Sequence, residues 1–206
     1  DIHKMAGITP EEDTAFSRTI WGASKKRLLW LFICLMGDML SGSVIDGFSH
    51  VLESMVALAF FIPVLMATGG NVGTQSLALA VRGIATEKLN RKNILKFISG
   101  ETLAGGQLGV ICGGIVALLT YLWQRDAQLS LAVGLSMCIS LILASLIGIL
   151  VPLLFRLLNI DPAVASGPFI TTIVDISTLS VYFTVSTYLL DVLSSNIAGT
   201  LKEVLV

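Results

Sequence analysis

The sequence predicts an all-α integral membrane protein with five membrane-spanning helices in each subunit. Of its 206 residues, 54% are hydrophobic and 13% are charged, whereas soluble domains carry about 25% charged residues. The mean hydropathy is +0.86. Five stretches reach the roughly 20 apolar residues that a helix needs to cross a bilayer.

A polar segment precedes these stretches. Residues 1–24 predict an amphipathic connecting helix at the membrane surface, capped by Thr9 with Pro10 in its first turn. Such a helix could gate a pore. Residues 25–206 predict the five-helix pore domain. The abrupt start of the chain suggests a piece of a longer protein.

The five predicted spans follow the apolar runs in order. The first begins with Trp30 after a basic cluster, and the third ends in the interfacial aromatics Tyr121 and Trp123. The fourth carries Pro152 and the fifth carries Asp175. Their predicted bounds are Leu28–Phe48, Val51–Ala80, Phe97–Trp123, Leu129–Leu157 and Ala163–Val192.

The basic residues predict the orientation, because cytoplasmic loops are enriched in Lys and Arg. Only Arg125 and Lys202 fall on one side of the predicted membrane. We therefore expect a multi-pass protein of the cytoplasmic membrane, with its N-terminus cytoplasmic and its C-terminus outside. The residues on the cytoplasmic side are Lys4, Arg18, Lys25, Lys26, Arg27, Arg82, Lys88, Arg91, Lys92, Lys96 and Arg156.

Asp175 is the strongest functional signal. In a helix taken as Ala163–Thr187 it falls at mid-membrane, where a carboxylate costs about 2.5–3.5 kcal/mol. The same helix contains no Lys, Arg or His to neutralise it. We interpret Asp175 as a cation site that faces water, and the alternative is a hydrogen-bonded structural residue.

Residues one turn before Asp175 extend this site. Pro168, beside Gly167, predicts a bend that exposes backbone oxygens together with the Thr171 and Thr172 hydroxyls. Ligands that are all oxygen suit a hard cation such as Mg²⁺, Ca²⁺ or Mn²⁺. The alternative is an ordinary proline kink.

Glycines and an amide interrupt the second span at Gly69, Gly70, Asn71 and Gly73. These residues are poor helix formers, so we expect irregular backbone, which membranes tolerate beside a watery cavity. With Thr74 they predict the wall of an ion pathway. The alternative is a glycine-rich packing surface.

Five helices do not divide into two equal halves, which favours a homodimer with a pore at its two-fold axis over an inverted-repeat transporter. Gly105, Gly109 and Gly113 form two overlapping GxxxG spacings. Such spacings let another helix approach closely. They predict tight packing either within the subunit or at a subunit interface.

The remaining residues argue against other classes of function. Three cysteines in apolar runs predict neither disulfides nor a metal cluster. The sequence contains no phosphate loop and no catalytic arrangement of side chains. We therefore predict that the protein is not an enzyme, needs no cofactor and binds no nucleic acid. The roles of Asp38, Asp46, Glu53 and Glu101 stay open, although Lys96 could pair with Glu101.

Three segments then carry a family resemblance. The segment GFSHVLESMVALAFFIPVLMATGGNVGTQS, followed by VRGIAT and later by DPAVASGPFITTIVD, resembles the membrane domain of MgtE-type magnesium channels. The resemblance covers nearly the whole chain from residue 25.

The resemblance implies a homodimeric Mg²⁺ channel in the lipid bilayer, whose pore is lined by the second and fifth spans. It implies that Asp175 of both subunits binds hydrated Mg²⁺ with the Thr171 carbonyl, and that Gly70 and Thr74 line the pore. Gly167 and Thr74 stand where some relatives have Asn. It also implies a cytosolic regulatory region that this chain lacks, with residues 1–24 as the remnant of its plug helix.

Three functions remain after this reading. The leading hypothesis is a channel that moves hydrated divalent cations down their electrochemical gradient. The second is a transporter coupled to H⁺ or Na⁺, in which Asp175 exchanges a proton for a cation. The third is a membrane scaffold that transports nothing and uses its glycines for packing.

Overall fold

The computed structural model describes residues 20–87, 89, 93–162 and 165–204, which form helices joined by short turns with no strand among them. The all-α prediction is confirmed for this part of the chain. Residues 1–19, which hold most of the predicted connecting helix, lie outside the described residues. The same is true of several basic residues behind the predicted orientation, which stays a prediction.

Along the described residues run six α-helices and one 3₁₀ segment. They are α1 (Ile20–Gly47), α2 (Ser49–Ser54), the 3₁₀ segment Val56–Phe61, α3 (Ile62–Ala85), α4 (Ile94–Gln124), α5 (Ala127–Leu157) and α6 (Gly167–Val204).

Four helical segments of the described chain are long and apolar enough to cross a membrane, and they match the second to fifth predicted spans. Helix α1 has 28 residues, so at 1.5 Å per residue it is about 42 Å long. It exposes Leu31, Phe32 and Leu35. That α1 is the first of five spans stays a prediction. The four segments are Val56–Ala85, Ile94–Gln124, Ala127–Leu157 and Gly167–Leu190.

Helix α3 continues without a break through Gly69, Gly70, Asn71 and Gly73. Our prediction of irregular backbone at these residues is therefore wrong. In lipid every backbone N–H and C=O needs a partner within the protein, so exposing these groups costs more than keeping glycines helical. The irregular backbone lies earlier, at Met55 (φ −145°, ψ 82°) and the 3₁₀ segment after it.

Helix α6 begins at Gly167 and places Pro168 in its first turn. The predicted bend at Pro168 is therefore wrong, because a proline in the first turn lacks only an N–H that has no helical partner there. The later start also moves Asp175 away from mid-helix. Asp175 lies about 12 Å along the axis from the first residue of the span Gly167–Leu190, at 1.5 Å per residue.

Helix α5 is the centre of the subunit and contacts α3, α4 and α6, whereas α1 packs against α6. Its side chains Met137, Leu141 and Ala144 are fully buried. Asp126 starts α5 by accepting hydrogen bonds from the N–H groups of Gln128 (2.8 Å) and Leu129 (3.0 Å). Since Arg125 and Asp126 alone join α4 to α5, these two helices run antiparallel.

The glycine spacing of α4 packs within the subunit. A Cβ atom added to Gly109 would lie 2.7 Å from the Cys138 carbonyl oxygen, and one added to Gly113 would lie 2.6 Å from that of Gly134. Gly105 faces Ser145 on the same side. Packing within the subunit, the first of the two predicted alternatives, is confirmed for all three glycines.

We predict that Gly113→Ala destabilises the fold by about 1–3 kcal/mol, because the new methyl group meets backbone that cannot yield without separating α4 from α5. The neighbouring variant Gly114→Ala is the matched control, since no atom lies within 4 Å of its added Cβ. Thermal unfolding in detergent measures both. Equal stability of the two variants would contradict the close contact.

Candidate ion-binding site

A cavity of about 200 Å³ opens on the surface between α3 and α6. It brings together four residues of the predicted site that stand about a hundred positions apart in the chain. Those four are Asp175, Thr171, Gly70 and Asn71, and the cavity wall is completed by Met66 and Ala67.

Helix α3 contributes its small residues to this cavity. A Cβ atom added to Gly70 would lie 3.2 Å from the Thr171 methyl carbon, so the glycine lets α3 approach α6 closely. The next residue, Asn71, is exposed and presents its amide at the cavity. The close approach therefore sets an amide beside the hydroxyl and carboxylate of α6.

Helix α6 contributes Thr171 and Asp175, which lie one turn apart on the same face. The Thr171 hydroxyl donates to the Pro168 carbonyl oxygen at 2.9 Å, which leaves its oxygen lone pairs free to accept from water. The Asp175 carboxylate is about half-buried. It forms no ion pair with any residue that the structure describes.

Asp38 on α1 is a second acid at this level of the membrane. It lies close enough to Asp175 for the two carboxyl groups to repel each other when both are ionised. Gly37, the preceding residue, packs directly against the Thr172 methyl group. Around the axis of α6, Asp175 stands between Thr171 on the cavity side and Thr172 on the α1 side.

The other predicted pore-lining residues lie outside the cavity wall. Gly69 is buried against Val174 and Thr178 of α6, and Thr172 is buried against α1. Gly167 and Pro168 form the first turn of α6. The Thr74 hydroxyl donates to the backbone oxygens of Gly70 (3.0 Å) and Asn71 (2.9 Å). Their pore-lining roles stay predictions.

Three other acids considered in the sequence analysis do not line this cavity. Asp46 and Glu53 are exposed at the opposite end of the helices. The suggested pairing of Lys96 with Glu101 is not formed. Glu101 instead accepts a hydrogen bond from the Ser76 hydroxyl at 3.5 Å.

Sequence reasoning missed two residues of this site and left the role of the nearby Asp38 open. Met66 and Ala67 lie one turn before Gly70 and Asn71, so helical spacing alone would have placed them on the same face. Helical spacing could not have placed Asp38 near Asp175, because their proximity depends on how α1 packs against α6.

The site supplies fewer oxygen ligands than a divalent ion without bound water would need. No group of three or more His, Cys, Asp or Glu side chains occurs together in the part of the chain that the structure describes. One carboxylate cannot replace the full hydration shell of a divalent ion. Mg²⁺ gives up its water reluctantly and usually keeps several water ligands. The arrangement therefore suits an ion held through its water shell.

A family model named MgtE, described as a divalent cation transporter, matches residues 62–185 of the chain. Three curated relatives, each called magnesium transporter MgtE, are also similar. The Bacillus subtilis protein is 38% identical over 176 residues, which covers 85% of this chain and 39% of the relative.

The Enterococcus faecalis protein is 36% identical over 186 residues, covering 90% of this chain and 40% of the relative. The Thermus thermophilus protein is 35% identical over 195 residues, covering 93% and 42%. The chain therefore spans about two fifths of the length of the curated relatives it matches.

We predict that a cysteine at position 71 reacts with a charged, membrane-impermeant thiol reagent, because Asn71 is exposed at the cavity and we expect water to reach this cavity. Asn71→Cys would be tested in a background whose three native cysteines are replaced by alanine. Val72→Cys is the matched control, since Val72 is buried. Failure of the cysteine at position 71 to react, or equal reaction at positions 71 and 72, would contradict a water-filled cavity.

Proposed function

The chain belongs to the MgtE family of divalent cation transporters, and we propose that it forms the pore of a Mg²⁺ channel in the cytoplasmic membrane. The observation that carries the proposal is the cavity between α3 and α6, which joins the Asp175 carboxylate to Thr171, Gly70 and Asn71. The three magnesium transporters of similar sequence support Mg²⁺ as the ion.

The size of the cavity fits a hydrated ion. The cavity volume of about 200 Å³ leaves room for an ion that keeps several of its water ligands. A bare Mg²⁺ ion would leave most of that space empty and would find too few ligands. We therefore propose that Asp175, the Asn71 amide and the Thr171 oxygens hold the water shell of the ion.

A second subunit would complete this site. In one chain the cavity is open on one side, and its single carboxylate balances half the charge of a divalent ion. Two chains related by a two-fold axis would close the cavity and set two Asp175 carboxylates around one ion. We propose this homodimer, with α3 and α6 of each subunit lining the pore.

Passive flow then follows from the membrane potential. A charge that crosses 100 mV gains about 2.3 kcal/mol, so a divalent ion gains about twice that amount. This driving force is sufficient without a coupled ion.

We predict that Asp175→Asn lowers Mg²⁺ uptake into proteoliposomes by about tenfold or more, because hydrogen bonds to a charged group contribute about 1.5–3 kcal/mol. Uptake is driven by an imposed potential with no other gradient. Asp46→Asn is the matched control, since it removes the same charge from an exposed position far from the cavity.

The outcomes of this experiment separate the three functions. Uptake that follows the potential and falls only in Asp175→Asn supports the channel. Uptake that requires a proton or Na⁺ gradient supports the coupled transporter instead. Uptake that is unchanged in Asp175→Asn would mean that the carboxylate is structural, and no uptake by any variant would support a scaffold.

We also predict that Asp38→Asn lowers uptake by about two- to fivefold at low ionic strength and by less at high ionic strength. Asp38 is exposed, so its attraction for the cation is screened by salt with a Debye length of about 10 Å at 0.1 M. Measuring uptake across a salt series tests this. A loss as large as that of Asp175→Asn, or one that salt does not change, would contradict a purely electrostatic role.

A further inference from the structure

A second cavity, of about 460 Å³, lies between the end of α3 and the beginning of α4. Arg82 is near the end of the span Val56–Ala85, and Lys96 is near the beginning of the span Ile94–Gln124. Since these spans follow one another along the chain, both basic residues stand at the same edge of the membrane. The ion site does not include any residue of this cavity.

The floor of the cavity is fixed by Leu89, whose side chain is 3% exposed and packs against Gly83. The Leu89 N–H donates to the Gly83 carbonyl oxygen at 3.0 Å. Its own carbonyl oxygen accepts from the guanidinium of Arg156, on α5, at 2.9 Å. Leu89 thereby links α3 to α5 at this point, so the cavity is formed before any ligand binds.

Two cationic side chains face this cavity and are available to a ligand. Arg82 and Lys96 both line it and are exposed. Neither forms an ion pair with a described residue. None of the described residues that line the cavity is Asp or Glu. A guanidinium and an ammonium in such surroundings favour an anion, and Arg pairs well with phosphate because its N–H groups match the phosphate oxygens.

The wall next to these charges is apolar. Leu79 lies one turn before Gly83 within the membrane span and is 46% exposed, and Phe97 of α4 lines the cavity beside it. Charged groups at the membrane edge and an apolar wall on the bilayer side match the two parts of a phospholipid. Basic pockets between membrane helices are known to hold anionic head groups.

We propose that this cavity binds an anionic phospholipid, with its phosphate between Arg82 and Lys96 and an acyl chain along Leu79 and Phe97. The lipid would join α3 to α4 at the membrane edge. The proposal does not depend on the proposed channel, because its test measures lipid binding and not ion flux.

Native mass spectrometry of the purified chain tests the proposal. The protein is presented with equal amounts of dioleoyl phosphatidylglycerol and dioleoyl phosphatidylcholine, and the retained lipid is counted. We expect the anionic lipid to be preferred, and its affinity to fall about fivefold in Arg82→Gln and in Lys96→Gln, as one basic residue near a membrane surface contributes about 1 kcal/mol.

Arg125→Gln is the matched control, because Arg125 is an exposed cation at the opposite end of α4. Equal retention of the two lipids, or an equal loss in Arg125→Gln, would overturn the proposal. So would displacement of the lipid by glycerol 3-phosphate at similar concentration, because the ligand would then be a free phosphate ester. Asp175→Asn should retain the lipid, which keeps this test separate from that of the ion site.

Discussion

The direct contact between the glycine face of α3 and helix α6 is the interaction on which the proposed ion site depends. Added Cβ atoms would lie 3.0 Å from the Thr178 hydroxyl at Gly69, 3.2 Å from the Thr171 methyl at Gly70 and 2.9 Å from a Val174 methyl at Gly73. Larger side chains at these positions would separate the helices. The Asn71 amide would then no longer lie beside Asp175.

The same contact explains why a continuous helix α3 contains several glycines. Within lipid the backbone must satisfy its own hydrogen bonds, so these glycines contribute their small size and not their conformational freedom. The glycines at the centre of the second predicted span were correctly recognised as unusual, but we interpreted them as a break in the helix. Pro168 was misread in the same way, because only the observed start of α6 at Gly167 places it in a first turn.

The sequence showed which residues are unusual for a membrane span and therefore candidates for the site. It did not show which residues of distant segments would lie close together in space. Asp175 was selected because a carboxylate is costly in an apolar helix, and Thr171 was selected because it lies one turn before Asp175, near Pro168. The role of Asp38 was left open, because its proximity to Asp175 arises from α1 packing against α6 through Gly37 and Thr172. The cavity that we propose for a phospholipid could not be predicted from the sequence either, because it depends on the hydrogen bond between the Leu89 carbonyl oxygen and Arg156 of α5.

The central claim is that two Asp175 carboxylates, one from each subunit, hold a single hydrated divalent cation. Electron paramagnetic resonance of Mn²⁺ titrated into the purified chain tests it most directly, because the signal reports both the number of bound ions and their water ligands. We expect one Mn²⁺ for every two chains, with most of its water retained, and no such binding in Asp175→Asn. One ion per chain, a largely dehydrated ion, or binding unchanged in Asp175→Asn would contradict the claim.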